Sequence, residues 1–346
     1  MRDGKVVFGV AGAGFIGKRH IAMIAADPES ELGGVCDILS AEECDLSRVV
    51  PGRETVSTIG EMIERCPEID IVSICTPNGL HAQMAIDVLG RDRSVLIEKP
   101  LALSVADALK IKEAEKASKG RVFTVFQNRY TPTSEWAKSL MRDGFLGRLT
   151  QVVVNCMWNR DERYYKPGHW HGTADLDGGT LFTQFSHYVD ILVWLVGPVK
   201  IENAIFADHA HQKTTDFEDT GAILFTTREG ATGTFTYTTA VPDQNLESSI
   251  ILVGTQGSIK IGGQYMSEVS HCRIRGYEMP RLAEANPPND YGAYKGSAAN
   301  HCYVIRNVCD VLLRGEKPTA NIEDGIRVVE TIESVYSFRT GDYSRR

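Results

Sequence analysis

The sequence has no Cys-x-x-Cys pair, no block of lysine and arginine, and no apolar run long enough to cross a bilayer. Each absence excludes something. The eight cysteines stand at 36, 44, 66, 75, 156, 272, 302 and 309, without the spacing of a zinc ribbon or a redox dithiol. Cys36 and Cys75 lie in apolar, strand-like runs, so reduced and buried thiols of a cytoplasmic protein are expected rather than disulfides. Thirty-seven Lys and Arg against 45 Asp and Glu give a formal charge of −8. Nothing basic could follow a phosphate backbone, so no nucleic-acid partner is expected. A phosphorylated small ligand stays open, because a helix N-terminus and a few arginines suffice to bind one. The longest apolar stretches, such as residues 189–197, are too short for a membrane span, and no membrane partner is expected. The first ten residues run directly into a strand-like segment and lack the pattern of a signal peptide.

What is present is the composition of an ordinary globular protein. Apolar residues make up 42% and charged residues 24% of 346, a length that favours two domains. Strand-like runs at 5–11, 33–37, 69–75 and 94–98 alternate with helix-like stretches at 15–26, 59–65 and 79–90. This alternation predicts an α/β domain, a doubly wound parallel sheet covered on both faces. A helix over 104–119 starts at a capping serine, Ser104, with Asp107 three residues on, and stops at Gly120. A last strand at 121–130 places the domain boundary near residue 127, giving domains 1–127 and 128–346.

The second domain reads differently. A strand at 151–159 leads into a loop rich in glycine and aromatic residues. A helix at 180–196 follows, stopped by Gly197-Pro198. Short strands at 201–207, 219–227, 231–240, 248–254 and 257–262 are joined by tight turns. They predict an α+β domain with a large, mainly antiparallel open sheet. Two helices, 297–314 and 323–338, close the chain. The open sheet needs covering, so a homo-oligomer is expected.

Chemistry enters with Gly12, Gly14 and Gly17, in the pattern Gly-x-Gly-x-x-Gly with Phe15 and Ile16 between them. Alone, such a cluster also fits an ordinary turn. Here it follows a strand and opens a helix, where the backbone approaches a pyrophosphate and the helix N-terminus faces it. Asp37 ends the second strand, 20 residues past Gly17. A carboxylate there accepts hydrogen bonds from ribose hydroxyls and repels a 2′-phosphate, so NAD is favoured over NADP. The bland alternative is a solvated turn aspartate. Two His-x-His sequences, His169/His171 and His209/His211, lack a further ligand at convincing spacing. No metal is expected, and His209 and His211 are expected on an exposed loop.

Four motifs together, in order and spacing, resemble one family: Gly12 to Gly17; Cys75-Thr76-Pro77-Asn78 with His81; Glu98-Lys99-Pro100; and His187-Tyr188-Val189-Asp190. The chain is similar to the glucose–fructose oxidoreductase/inositol dehydrogenase (Gfo/Idh/MocA) family over nearly its whole length. The resemblance implies NAD contacts from Gly12, Gly14, Phe15, Ile16, Gly17, Asp37, Thr76, Pro77, Asn78 and His81, with Glu98 and Gln127 near the nicotinamide. It implies a catalytic Lys99 beside the reacting carbon, a cis Lys99–Pro100 bond, and His187 as acid/base or substrate contact. By themselves, Lys99 could be a solvated strand-end lysine and His187 a core histidine. Thr183, His187, Asp190 and Trp194 share one face of the 180–196 helix. Asp190 could orient the imidazole or serve as a structural acceptor. Many polyol dehydrogenases of the family carry Asp where Thr183 stands, and threonine is no base near neutral pH.

A narrower resemblance lies in Trp158-Asn159-Arg160, Tyr164-Tyr165-Lys166, Trp170-His171-Gly172 and Asp177-Gly178-Gly179. These look like the members that oxidise the sugar 3-hydroxyl of UDP-N-acetylglucosaminuronic acid to a ketone, in diamino-sugar synthesis for surface polysaccharides such as lipopolysaccharide O-antigen. This implies substrate contacts from Lys99, Arg160, Tyr164, Lys166, Thr183 and His187, and a tetramer. His171 departs from the arginine that relatives often carry. Two other readings stay open: a dehydrogenase of a free sugar or polyol, and a non-catalytic NAD-binding sensor.

Overall fold

The computed structural model describes residues 4–292 and 294–339. Chain contacts divide it into two units, residues 1–126 with 301–329, and residues 127–300 with 330–346. The first division falls beside the expected boundary. The return of residues 301–329 to the first unit differs from the expected split at 127, and has a physical basis. The apolar stripe of that returning helix, with Val304, Ile305, Val308 and Val311 buried, belongs to the first core.

In the first unit, β1 (Val6–Ala11), α1 (Phe15–Ala26), β2 (Ser30–Cys36), α2 (Ile59–Arg65), β3 (Ile71–Ile74), α3 (His81–Leu89), β4 (Ser94–Ile97), α4 (Val105–Ala117) and β5 (Val122–Thr124) alternate as expected. The sheet order is β2-β1-β3-β4-β5, with every pair parallel. β1, β3 and β4 are buried along their whole length, as predominantly apolar runs require when helices cover both faces; the serines within them, Ser73 and Ser94, are buried too. Helix α4 is capped as its sequence suggests. Ser104 Oγ accepts the Asp107 N–H at 3.1 Å and donates to Asp107 Oδ2 at 2.8 Å, an arrangement that stabilises the helix by about 1 kcal/mol. The expected strand 121–130 ends at Thr124, and residues 127–130 form a short 3-10 turn.

The second unit begins with that turn and α5 (Pro132–Arg142), a helix the sequence reading missed. Then come β6 (Leu149–Met157), a π-helical turn (Leu181–Phe185) running into α6 (Ser186–Val196), and the strands β7 (Val199–Ala207), β8 (Thr220–Thr227), β9 (Thr232–Thr238), β10 (Glu247–Gly254), β11 (Gly257–Gly262) and β12 (Glu268–Ile274). A small ribbon pairs β13 (Pro288–Asp290) with β14 (Lys295–Ala298). The large sheet has seven strands, ordered β12-β11-β10-β6-β9-β8-β7. It is antiparallel except where β6 and β9 run parallel. Its strands alternate buried and open residues. In β8, Ile223 and Phe225 are buried while Leu224 between them is 52% exposed. One face therefore packs and the other is open. Helices α7 (His301–Arg314) and α8 (Ile322–Tyr336) complete the described chain. No described helix is long and apolar enough to cross a membrane.

Candidate active site

The first unit carries the glycine-rich turn between β1 and α1. Gly12 has φ +92°, and a methyl there would stand 2.7 Å from the Cys75 carbonyl oxygen. A methyl on Gly17 would lie 1.7 Å from the Gly12 carbonyl oxygen, so the helix packs against the turn too closely for any side chain. Gly14 differs: nothing lies within 4 Å of a Cβ there. It is the N-cap of α1 and contributes no side-chain cap, which leaves the helix N-terminus open to an anion. Asp37 closes the loop from the next strand. Its Oδ2 accepts the Ala13 N–H at 2.6 Å and its Oδ1 the Leu39 N–H at 2.9 Å. A dinucleotide fits this cradle, with its phosphates at the bare turn and a ribose at the carboxylate. Phe15 is exposed on the first turn of α1.

Beyond β3, Thr76, Pro77 and Asn78 form the next turn, with Asn78 buried. His81, wholly buried, points both ring nitrogens at backbone carbonyls, Pro100 at 2.7 Å and Thr76 at 3.0 Å. Burial pushes its pKa down despite those two carbonyls. Its imidazole thus ties the Thr76 turn to the Glu98-Lys99-Pro100 turn. The Lys99–Pro100 bond is cis, as the resemblance implied. Lys99 is half-buried at the end of β4.

Glu98 is buried at the same strand end. Its Oε1 lies 2.9 Å from His20 Nε2 on α1 and 3.4 Å from His301 Nε2 on α7. Burial alone would raise its pKa, but the hydrogen bond and charge of His20, with His301 beside the same oxygen, hold it well below the usual carboxylate range. His20 lies on the buried side of α1 with Gly17, Ile21 and Ile24. No local signal pairs it with Glu98 or with a histidine more than 200 positions further on.

In the second unit, the Gln127 side-chain nitrogen lies 3.0 Å from His187 Nε2 and donates to Ser297 Oγ at 3.2 Å. His187 is 3% exposed. With the amide nitrogen as donor, His187 Nε2 accepts. Asp190, one turn on, receives Arg129 through both carboxylate oxygens at 2.6 to 3.2 Å, with both residues buried. Of the two roles open to Asp190, this is the structural one.

Thr183 lies on the π-helical turn, so the expected continuous α-helix from 180 is interrupted. Its hydroxyl donates to the carboxylate of Asp177, a fully buried residue whose Oδ2 also accepts the Gly172 N–H at 2.8 Å. A carboxylate therefore does sit at position 183, delivered from the loop rather than the helix. Arg160 is buried and donates to Gln184 Oε1, Asn159 O, Asn245 Oδ1 and Lys295 O. The rings of Trp158, Tyr164 and Tyr294 stand 4.6 to 5.3 Å from its guanidinium. Tyr164 accepts a hydrogen bond from Gln184 at 2.8 Å, while Lys166 is exposed.

His169 and His171 stack at 4.5 Å with Nδ1 atoms 2.6 Å apart. His211, expected on an exposed loop with His209, is buried instead, 3.2 Å from Asp219. The backbone N–H groups of His209 and Ala210 also bind Asp219, and this folds the loop inward. Among the described residues, two groups have the side chains to surround a cation, His20/Glu98/His301 and Asp208/His211/Asp219.

The parallel sheet, the uncapped glycine turn and the carboxylate after the second strand define a dinucleotide-binding domain of Rossmann type. Residues 6–126 match the model of an oxidoreductase family with an NAD-binding Rossmann fold, and residues 135–260 match the GFO/IDH/MocA C-terminal domain. The chain belongs to the Gfo/Idh/MocA family. Among solved structures it is similar to the WlbA dehydrogenase of Bordetella pertussis, in complex with NADH and UDP-GlcNAcA. That likeness has a TM-score of 0.85 at 30% identity and covers 96% of each chain. The WlbA dehydrogenase of Chromobacterium violaceum, bound to the same two molecules, matches at 0.85 and 30%, over 98% of this chain and 94% of that one. Inositol 2-dehydrogenase of Rhizobium meliloti is 25% identical over 283 residues, 80% of this chain and 82% of that protein. The first three curated relatives are matched over 58%, 31% and 56% of their own length.

Proposed function

We propose that the protein oxidises the 3-hydroxyl of UDP-N-acetylglucosaminuronic acid to the 3-keto sugar. The observation that carries this reading is the likeness, at 30% identity along nearly the whole of both chains, to dehydrogenases crystallised with NADH and UDP-GlcNAcA. The aromatic loop at 158–179 supports it, being held in shape by a buried arginine. NAD, when bound, takes up the hydride that leaves the sugar carbon. Lys99 and His187 handle the hydroxyl proton, which reaches water as the ketone forms. Arg160 and Tyr164 contribute by fixing the loop, since their polar atoms tie it to Gln184, Asn245 and the Lys295 carbonyl. Exposed Lys166 supplies the cation for the sugar carboxylate or diphosphate. Thr183, with Asp177 behind it, offers a hydroxyl whose own proton is already committed, so its oxygen is left to accept from the sugar. We place the enzyme in the cytoplasm, in surface-polysaccharide synthesis such as that of O-antigen, as a homotetramer that covers the open face of the large sheet.

The test is NADH formation at 340 nm with UDP-N-acetylglucosaminuronate, myo-inositol and glucose in parallel. Turnover with the nucleotide sugar acid alone is expected. Turnover confined to the free sugar or polyol overturns the substrate assignment, and none with any substrate favours an NAD-binding sensor.

A further inference from the structure

Around Glu98 gather three buried side chains that cofactor or substrate binding does not explain: Ser73, His20 and His301. Both ring nitrogens of His20 are occupied, Nδ1 by Ser73 Oγ at 2.7 Å and Nε2 by Glu98 Oε1 at 2.9 Å. His301 Nε2 approaches the same oxygen at 3.4 Å, and the two imidazoles meet edge to face at 5.4 Å. Glu98 Oε2 receives the Lys99 N–H at 3.2 Å. His20, Ser73 and His301 are at most 1% exposed and Glu98 5%.

A bare carboxylate here would matter to its neighbour. It would favour the ammonium form of Lys99, whereas a lysine that takes a proton near neutral pH must shed its own. We propose that His20, protonated and held between Ser73 and Glu98, is a positioning residue that cancels the Glu98 charge beside Lys99, with His301 closing on the same oxygen. The proposal rests on the catalytic reading of Lys99. The carboxylate requires a donor on Nε2, and the serine hydroxyl can accept from Nδ1, so the site accommodates the imidazolium, which donates from both nitrogens. Burial by itself would push His20 down, but Cys75 and Glu98 outweigh it and lift the imidazole to about 10. His301, chiefly through burial, is pushed down and stays neutral. The other groups facing the cluster are Arg19 on α1, Cys75 after β3, His81 on α3 and Lys99 itself. Burial keeps His81 neutral, so the His20 and Glu98 charges offset each other. The two histidines and the carboxylate are also a zinc-type donor set. However, the 2.9 Å from His20 Nε2 to Glu98 Oε1 is a hydrogen-bond distance, and a proton accounts for it.

The test starts with the intact wild-type protein carrying ¹⁵N-histidine, with His20→Gln identifying the resonance. Both His20 nitrogens are expected to be protonated at pH 8; a neutral tautomer at that pH overturns the proposal. The second measurement is competitive acetylation of the Lys99 amine across pH, read by mass spectrometry. In His20→Gln, which keeps an N–H donor but no charge, the Lys99 midpoint should rise by about one pH unit. The acid limb of kcat should rise with it. A midpoint that does not move, or stoichiometric zinc in the purified protein, overturns the proposal. The labelling needs no sugar substrate. Undiminished turnover in Lys99→Met would refute the catalytic reading, while an unmoved midpoint refutes the charge balance.

Discussion

Replacing Asp190 by asparagine removes one charge from a pair that is closed to water on both sides. Arg129 is 2% exposed and Asp190 is fully buried, and the guanidinium meets both carboxylate oxygens. Asparagine keeps the shape but leaves the Arg129 cation without its anion. Stranding a buried charge in this way costs about 3–5 kcal/mol, far above the 0–1 kcal/mol of a surface pair. For a unit of this size that corresponds to a Tm lower by roughly 6–20 °C. Urea unfolding followed by tryptophan fluorescence suits the measurement, because Trp194 lies 5.3 Å from the guanidinium. The double change Arg129→Met with Asp190→Leu should recover most of the loss, since both desolvation costs disappear together. A loss below about 1 kcal/mol for Asp190→Asn would refute the reasoning. So would a double variant as unstable as the sum of the single ones. Because Asp190 is bound to Arg129, the pH midpoint of kcat should stay unchanged in the folded fraction of Asp190→Asn.

Gly17→Ala should fail to fold stably, because its methyl has no room beside the Gly12 carbonyl. Gly14→Ala should melt within about 1 °C of wild type yet bind NAD more weakly by calorimetry, since its methyl meets open space where phosphate would lie. Stability should fall on the alkaline side. His20 is pushed up to about 10, so its contribution is complete below pH 6.5 and is lost as pH rises through 10. The unfolding free energy from urea titrations between pH 6 and 10 should drop by up to about a few kcal/mol in total, and His20→Gln should flatten that limb. Leu224→Glu, on the open face of the large sheet, should lower the assembly mass by light scattering without changing the far-ultraviolet circular dichroism.

The first 120 residues were legible because their strands are buried on both faces. Val6–Ala11 is apolar throughout and Ile71–Ile74 is broken only by Ser73, and glycine or a capping serine punctuates such runs. Helix α5 escaped notice because its polar residues turn inward: Thr133 and Ser134 are buried, and Thr133 donates to the Met266 carbonyl. Strand β12 escaped for the opposite reason, since it lies at the sheet edge and is mostly open. The cofactor turn was readable from glycine spacing, which is local. The carboxylate on Thr183 was not, because Asp177 reaches it from the preceding loop. The partners of Glu98 were hidden for the same reason, as His20 and His301 are adjacent to it only after folding.

The return of His301 and its helix to the first unit has a consequence for the order of events on the ribosome. Arg306 binds Asp27 and Glu29, and Phe123 bridges to Asn321, so the Rossmann unit is finished only by residues made long after its sheet. A nascent chain that stops short of position 301 holds the glycine turn, Asp37 and Lys99 but lacks one wall of the pocket around Glu98. Residues 127–300 are made before that helix, and their unit in turn waits for residues 330–346, where Tyr336 donates to Glu218 at 3.0 Å. The cofactor-binding unit, whose sheet is made first, therefore closes only after most of the second unit has been made.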